Sequence, residues 1–222
     1  MLSGRVIILV NGSPYALIVP AVLTDFLSSS DDQNLRASYS NFIKFLRIVA
    51  CFITLLLPGL YMAITAFHQE ILPTELLFSI LATRANVPFP IFFEILLMEV
   101  SFELIREAGL RIPSPIGPTV GLIGSLLIGQ AAVAANIVSP FLIIVIAITG
   151  ISSFAIPDFI LGFHLRLFRF LFILLGFLAG FLGISLGLFV YISYLCDTHS
   201  FGIPYLQNRN IYQSNGKEDF FA

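Results

Sequence analysis

Polar and apolar residues lie along this chain in long blocks. From Leu110 to Pro204 the sequence is almost continuously apolar, and it contains three runs long enough to cross a bilayer: Ile116–Asn136, Val138–Pro157 and Phe168–Leu195. A fourth run, Ile48–Phe67, gives ~30 Å of helix at 1.5 Å per residue, the thickness of the hydrocarbon core. Pro58-Gly59 near its middle predicts a kink. Lys44 and Arg47 sit just before this run and place its N-terminal end in the cytoplasm by the positive-inside rule. His164, Arg166 and Arg169 mark a polar turn between the last two runs, and Tyr191 and Tyr194 stand where an aromatic belt would lie.

The flanks read differently. Arg5–Val10 and Tyr15–Val19 are rich in β-branched residues and separated by Asn11-Gly12-Ser13-Pro14, which predicts a β-hairpin over residues 5–20. Two strands alone are marginal in water, so the hairpin reads as the edge of a larger sheet or as a ribbon lying on the membrane domain. Residues 24–41 are polar, a loop or short surface helix. His68–Val87 is a short connection with a helical middle at Thr74–Thr83. The predicted organisation is a hairpin remnant of a cytoplasmic domain with its linker (1–41), a helical membrane domain (42–206) and a polar tail (207–222). The fold class is all-α and polytopic, with four to five transmembrane helices and one amphipathic or re-entrant helix.

That last helix is Pro88–Arg111. Its first half is apolar except for Glu94, whereas Glu99, Glu103, Arg106 and Glu107 fall within an arc of about 100° at 100° per residue, with Glu94 opposite. If the segment crosses, Arg106, Arg111, Arg166 and Arg169 all lie on the cytoplasmic side and the tail lies outside. If it does not, the arginines face outward and the tail is cytoplasmic. Charge counting favours the crossing.

Composition narrows the function. The chain has 58% hydrophobic and 11% charged residues and a mean hydropathy of +0.97, far from the roughly one-quarter charged residues of a soluble domain. A formal charge of −2 without a basic cluster argues against nucleic acid. Cys51 and Cys196 fall in or at the end of apolar runs, which argues against a disulfide framework or cysteine metal site. His68, His164 and His199 have no ligand-like spacing. Only five apolar residues, Val6–Val10, precede the first turn, too few for a secretory signal. There is no paired His-Glu zinc motif, Gly-rich phosphate loop or G-x-S-x-G elbow, and Asp158 is a lone acid at a helix end. Neither a catalytic constellation nor a cofactor or metal site is expected.

Three patterns carry candidate function. Gly176, Gly180, Gly183 and Gly187 fall within about 60° on a helical wheel, a stripe that lets helix backbones approach closely, within the chain or between subunits. Gly117, Gly121, Gly124, Ala131, Ala132 and Ala135 share one face with Ile128, so that face packs tightly or lines a narrow passage able to gate by dewetting. Ionisable residues at membrane depth are costly and point to function. Arg106 can pair with Glu103 at i,i+3, leaving Glu99 and Glu107 unmatched locally; several copies around an axis would make these carboxylates an acidic ring, and otherwise they rest solvated among headgroups.

Several stretches together resemble the membrane half of the A subunit of bacterial spore germinant receptors, the GerA family, which includes the related spore membrane protein SpoVAF. They are Gly4-Arg5-Val6 through Asn11-Gly12-Ser13-Pro14, Pro73-Thr74-Glu75-Leu76-Leu77, Val87-Pro88-Phe89-Pro90, Glu99 through Phe102-Glu103, and Arg106-Glu107-Ala108-Gly109. Pro115-Ile116-Gly117 follows, with Ile128-Gly129-Gln130-Ala131-Ala132-Val133, Ile137-Val138-Ser139-Pro140, Ser153-Phe154-Ala155-Ile156-Pro157 and Ser200-Phe201-Gly202-Ile203-Pro204-Tyr205-Leu206.

The resemblance implies a subunit of a receptor in the spore inner membrane, partnered by a transporter-like B subunit and a lipoprotein C subunit. It implies an oligomer, a pentamer in that picture, forming an ion channel that releases monovalent cations and starts germination. On that footing Glu99 and Glu103, partly balanced by Arg106, are expected at a cation-attracting vestibule. The Gly117–Ala135 face is expected at or beside the conduction path. Family members carry a large cytoplasmic domain ahead of the hairpin and a longer basic tail, so a fragment, a split gene or a non-functional copy stays open. The rival readings are a non-conducting scaffold or accessory subunit and a secondary transporter, the latter without the internal repeat it calls for.

Overall fold

The computed structural model describes residues 6–12, 16–29, 32, 35–111 and 116–207. The expected polar tail therefore lies outside the described residues, save for its first residue. The hairpin forms as β1 (Val6–Leu9) against β2 (Ala16–Val19), antiparallel, with Val6 opposite Val19 and Leu9 opposite Ala16. Gly12 supplies the positive φ of the turn, +88°. A single helical turn, α1 (Leu23–Phe26), follows, with the Asp25 side chain accepting from the Val22 amide at 3.1 Å.

α2 (Ala37–Phe67) begins eleven residues earlier than the apolar run and is 31 residues long. Lys44 and Arg47 are thus inside the helix and not ahead of it. The early start has a local cause. Arg47 reaches back to the linker, its guanidinium pairing with Asp32 (Nη2 to Oδ1, 3.0 Å) and donating to the Leu27 carbonyl at 3.0 Å. Pro58 sits within the helix and is buried.

Beyond a 3-10 turn at Gln69–Ile71, α3 (Thr74–Arg84) occupies the expected helical middle of the connection. α4 (Ile91–Arg111), α5 (Ile116–Ala134) and α6 (Pro140–Phe154) then succeed one another. Ser139 caps α6, its hydroxyl accepting from the Leu142 amide, and Asp158 caps α7 (Phe159–Asp197) by accepting from the Leu161 amide at 2.7 Å. The polar turn expected around His164–Arg169 is therefore helix. Its charged groups are tolerated there because they meet partners on α4, described below.

α7 is not one rod. Gly180 has φ 58° and ψ −136°, a conformation only glycine adopts readily. In a straight helix, His164 and Tyr191 would stand about 40 Å apart along the axis. Their rings are 6.4 Å apart, and those of Phe172 and Tyr191 are 6.3 Å apart. The chain doubles back at Gly180, so that residues 159–179 and 181–197 run antiparallel. Phe67 and His68 at the end of α2 cover this turn. The last apolar run is thereby divided into two helical arms.

This reversal decides where the chain ends. A second small hairpin, β3 (His199–Ser200) with β4 (Ile203–Pro204), follows α7 and docks onto the start of the chain. The Leu23 amide donates to the Tyr205 carbonyl at 2.9 Å, and the Phe26 and Tyr205 rings are 6.0 Å apart. The stretch entering the tail thus lies at the same end of the bundle as α1 and the start of α2. A crossing α4 with an unbroken last helix would put the tail at the opposite end; the reversal at Gly180 instead returns the chain to the end where α2 begins.

α2 is central, packing on α7, α6 and α4. One core cluster joins Met62, Ile95, Met98, Leu142, Ile146 and Ile173; another joins Leu55, Ala63, Leu161, Leu165, Phe172 and Ile184. The outer surface is apolar, with Ile151, Ile160, Leu182 and Phe189 exposed, while Glu94, Glu99, Arg166 and Arg169 are buried. By length and composition α2 and α7 can cross a membrane, and residues 123–134 and Pro140–Phe154 are shorter apolar helices. Charge inside and hydrocarbon outside is the distribution that lipid as solvent selects.

Candidate functional site

The acidic face of α4 meets the first arm of α7, and the meeting gathers five charged side chains. Glu99 is 1% exposed and Arg169 3%, and they pair at 2.7 Å. Glu103, four residues on and 30% exposed, faces three guanidiniums: Arg166 Nε at 3.2 Å, Arg106 Nη1 at 3.7 Å and Arg169 Nη2 at 3.9 Å. Arg106 also donates to the Ser153 hydroxyl at 2.7 Å, which in turn donates to the Gly150 carbonyl at 2.6 Å. The cluster therefore ties α4 to the end of α6 and to α7. Each contact follows from helix geometry, since Glu99, Glu103 and Arg106 share one face of α4 while Arg166 and Arg169 are one turn apart on α7.

The charges do not cancel. Three guanidiniums face two carboxylates, leaving one positive charge in excess, and desolvation makes such an excess costly. Among the described residues, several buried donors are not hydrogen-bonded: Arg106 Nε and Arg169 Nε, and also Arg166 Nε and Arg106 Nη1, which meet Glu103 only as ion-pair contacts. Aromatic faces supply part of the compensation. The Arg106 guanidinium lies 4.8 Å from the Phe154 ring centre, and that of Arg166 lies 5.9 and 5.8 Å from Phe159 and Phe163.

The expected site residues are partly brought together. Glu99, Glu103 and Arg106 are adjacent, with Glu107 on the exposed extension of the same face, paired to Arg111 at 3.0 Å. Of the small-residue face of α5, Gly124 packs toward Ile105 of α4, while a methyl placed on Gly121 would meet nothing within 4 Å and Ile128 is exposed. Gly117 falls in the first turn of α5, and its surroundings lie outside the described residues. The four glycines of α7 serve contacts within the chain. Gly176 touches the Gly59 backbone of α2, Gly180 makes the reversal, and Gly183 and Gly187 face Leu175 across it.

Two partners escaped the sequence reading. Arg166 and Arg169 are spaced three apart within apolar sequence, a pattern that signals a buried charged stripe as readily as a turn. Glu94, on the other side of α4, is 2% exposed. It accepts from Arg84 of α3 at 3.0 Å and from the Ser139 amide at 3.1 Å, locking the start of α6. Among the described residues no group of three or more His, Cys, Asp or Glu side chains could hold a metal ion.

The result is a helical bundle with an apolar outer surface, paired charges between its helices and two helices long and apolar enough to cross a membrane. The sequence profile described as "Bacillus/Clostridium GerA spore germination protein" matches residues 1–222, and the chain belongs to that family. It is 45% identical over 219 residues to spore germination protein KA of Bacillus subtilis, covering 99% of this chain and 40% of that protein. It is 43% identical over 219 residues to spore germination protein A1 of the same organism, covering 99% and 45%. With the membrane protein YfkQ it shares 41% identity over 222 residues, covering 100% and 43%. The chain thus spans less than half the length of these relatives. No solved structure matches it.

Proposed function

We propose that the chain is the channel-forming membrane part of the A subunit of a spore nutrient-germinant receptor. It crosses the spore inner membrane several times, oligomerises there as a pentamer or similar ring, and works with B and C subunits to release monovalent cations and trigger germination. The observation that carries this reading is the charged cluster between α4 and α7. Ionisable groups are kept at membrane depth where they face a pathway or a partner, and Glu103 reaches the surface while Glu99 is enclosed. In this reading Glu103 and the exposed Glu107 border a cation vestibule, with Gly121, Gly124 and Ile128 of α5 beside the conduction path. The hairpin β1–β2 with its linker is the edge of a cytoplasmic domain.

One observation favours a second reading, a non-conducting scaffold or accessory subunit. Three arginines surround the two carboxylates, and an excess of positive charge does not concentrate cations.

Potassium efflux from liposomes separates the two. The purified chain is reconstituted alone and joined to a family N-terminal domain. Flux in the joined form supports the channel, and Glu103→Gln should then lower it without abolishing assembly. Insertion and oligomerisation without flux, also in the presence of the B and C subunits, would assign the chain to the scaffold class.

A further inference from the structure

We infer that the apolar cavity between α1, α2 and the two arms of α7 binds a neutral lipophile, one medium-length alkyl chain carrying a single uncharged hydrogen-bonding group. This site is separate from the charged cluster and independent of conduction, and it rests only on the reading of the chain as membrane-embedded.

The cavity has a volume of about 430 Å³, within the range of about 300–1,000 Å³ of small-molecule sites, and it lies between the helices of a bundle, where such sites recur. Its walls come from residues 23–27, 48–55, 160–165, 188–198 and 205–206. The reversal at Gly180 creates it, because only the doubling back brings Leu188 and Leu195 beside Leu161 and Leu165. The wall from 188 to 195 is about 12 Å long at 1.5 Å per residue, a depth that suits a chain of medium length. The cavity is open to the exterior. Phe52, Ile160 and Tyr194 in its walls are 54%, 69% and 60% exposed, so its mouth is continuous with the apolar outer surface, and a lipophile dissolved in the bilayer reaches it without crossing water.

The lining fixes the chemistry of the occupant. No Asp, Glu, Lys or Arg faces the cavity, so a charged ligand would be desolvated there without a counter-ion. Polar anchors are nevertheless present. His164 and Tyr191, on the two arms of α7, both line the cavity with their rings 6.4 Å apart. Each is half-buried, and among the described residues their interactions are ring contacts, with no hydrogen bond to either polar end. An uncharged amide matches this pair, its carbonyl accepting from the Tyr191 hydroxyl and its N–H donating to an imidazole nitrogen. The occupant would also hold the linker in place, because α1 and Tyr205 form one wall and are joined by the Leu23 amide donating to the Tyr205 carbonyl at 2.9 Å.

The chain contains no tryptophan, so a single introduced indole reports its own surroundings. Phe52→Trp places it at the mouth of the cavity on α2, Ile160→Trp repeats the measurement on α7, and Leu182→Trp lies outside the cavity on the exposed surface of the second arm. Each variant is reconstituted in phosphatidylcholine vesicles and titrated with 8-bromooctanamide, 8-bromooctanoate or 8-bromooctylammonium, whose bromine quenches a neighbouring indole. Quenching at residue 182 reads the probe dissolved in the bilayer and establishes insertion. At residues 52 and 160 the amide should reach half-quenching at a mole fraction about tenfold lower than at residue 182. The two charged probes should lose that advantage, a discrimination of about tenfold against a desolvated charge without a partner. Tyr191→Phe should raise the half-quenching mole fraction of the amide at residue 52 about fivefold, the value of one hydrogen bond, and leave residue 182 unchanged.

Equal quenching by the amide at residues 52, 160 and 182 would overturn the site. Preferential quenching at 52 and 160 that ignores the headgroup would overturn the ligand class and assign the cavity to the acyl chains of ordinary lipid. An unquenched residue 182 would refute the membrane reading, and the proposed site with it.

Discussion

Adding one methyl group at Gly176 tests how closely α2 and α7 approach. A Cβ there would lie 2.7 Å from the carbonyl oxygen of Gly59, and a Cβ on Gly59 would lie 2.8 Å from that of Phe172. Ordinary contact begins at 3.4 Å, so Gly176→Ala forces the two backbones apart by about 0.7 Å, the difference between 3.4 and 2.7. The obstacle is main chain and cannot rotate away, which puts the cost at the upper end of the overpacking range, about 3 kcal/mol. Alanine recovers about 1 kcal/mol of helix propensity. The net loss of about 2 kcal/mol should lower the melting temperature by about 4–8 °C for a chain of this size. Gly150→Ala is the matched control, because a methyl there meets nothing within 4 Å; it should leave stability unchanged or raise it slightly. The assay is thermal unfolding in detergent. It is followed by far-ultraviolet circular dichroism and by dye labelling of Cys51, half-buried against the α2–α7 core, in a Cys196→Ser background. If Gly176→Ala melts with Gly150→Ala, the backbone contact between Gly59 and Gly176 does not exist and the argument fails.

Three further outcomes follow from the structure. Spin labels at positions 164 and 191 should report a short separation, as expected from rings 6.4 Å apart; a separation near 40 Å would mean that α7 is straight. Glu99→Gln should destabilise the chain by about 3–5 kcal/mol because it strands the Arg169 charge, whereas joint replacement by Glu99→Leu and Arg169→Met should be near neutral in thermal unfolding. Equal losses in the single and double variants would show that the pair is not what those positions contribute. The hydrogen bond from Arg47, opposed by burial, holds the Asp32 carboxyl below its ordinary value of 3.8. Since the folded value is the lower one, linker docking is fully supported above about pH 4 and is lost as the pH falls through the lowered value. Amide exchange at Ser29, which donates to Asp32 at 2.9 Å, should quicken only in acid; in Arg47→Gln it should be fast already at neutral pH.

Much of the architecture is written locally and was legible as such. Asn11-Gly12 closes the first hairpin, Ser139-Pro140 and Asp158 start α6 and α7, and the helical middle of residues 74–83 follows its own propensity, because turn and cap chemistry depends on neighbours in sequence. The clustering of Glu99, Glu103 and Arg106 on one face follows from helical periodicity alone. What sequence spacing could not reveal depended on segments distant in the chain. Gly180 has the same side chain as Gly176, and only packing shows that one makes a reversal while the other admits the Gly59 backbone. Arg166 and Arg169 read as a turn because charge in an apolar run has no visible reason until α4 supplies the opposing carboxylates.

Composition and spacing were enough to read the long apolar runs and the shared face of Glu99, Glu103 and Arg106, since bilayer thickness and the 3.6-residue period translate composition into length and face. The tertiary structure decided the number of arms in α7, the end at which the chain finishes and the electrostatic sign of the cluster. These are properties of which groups meet in space, and burial makes each unmatched charge or misplaced methyl expensive enough to fix the outcome.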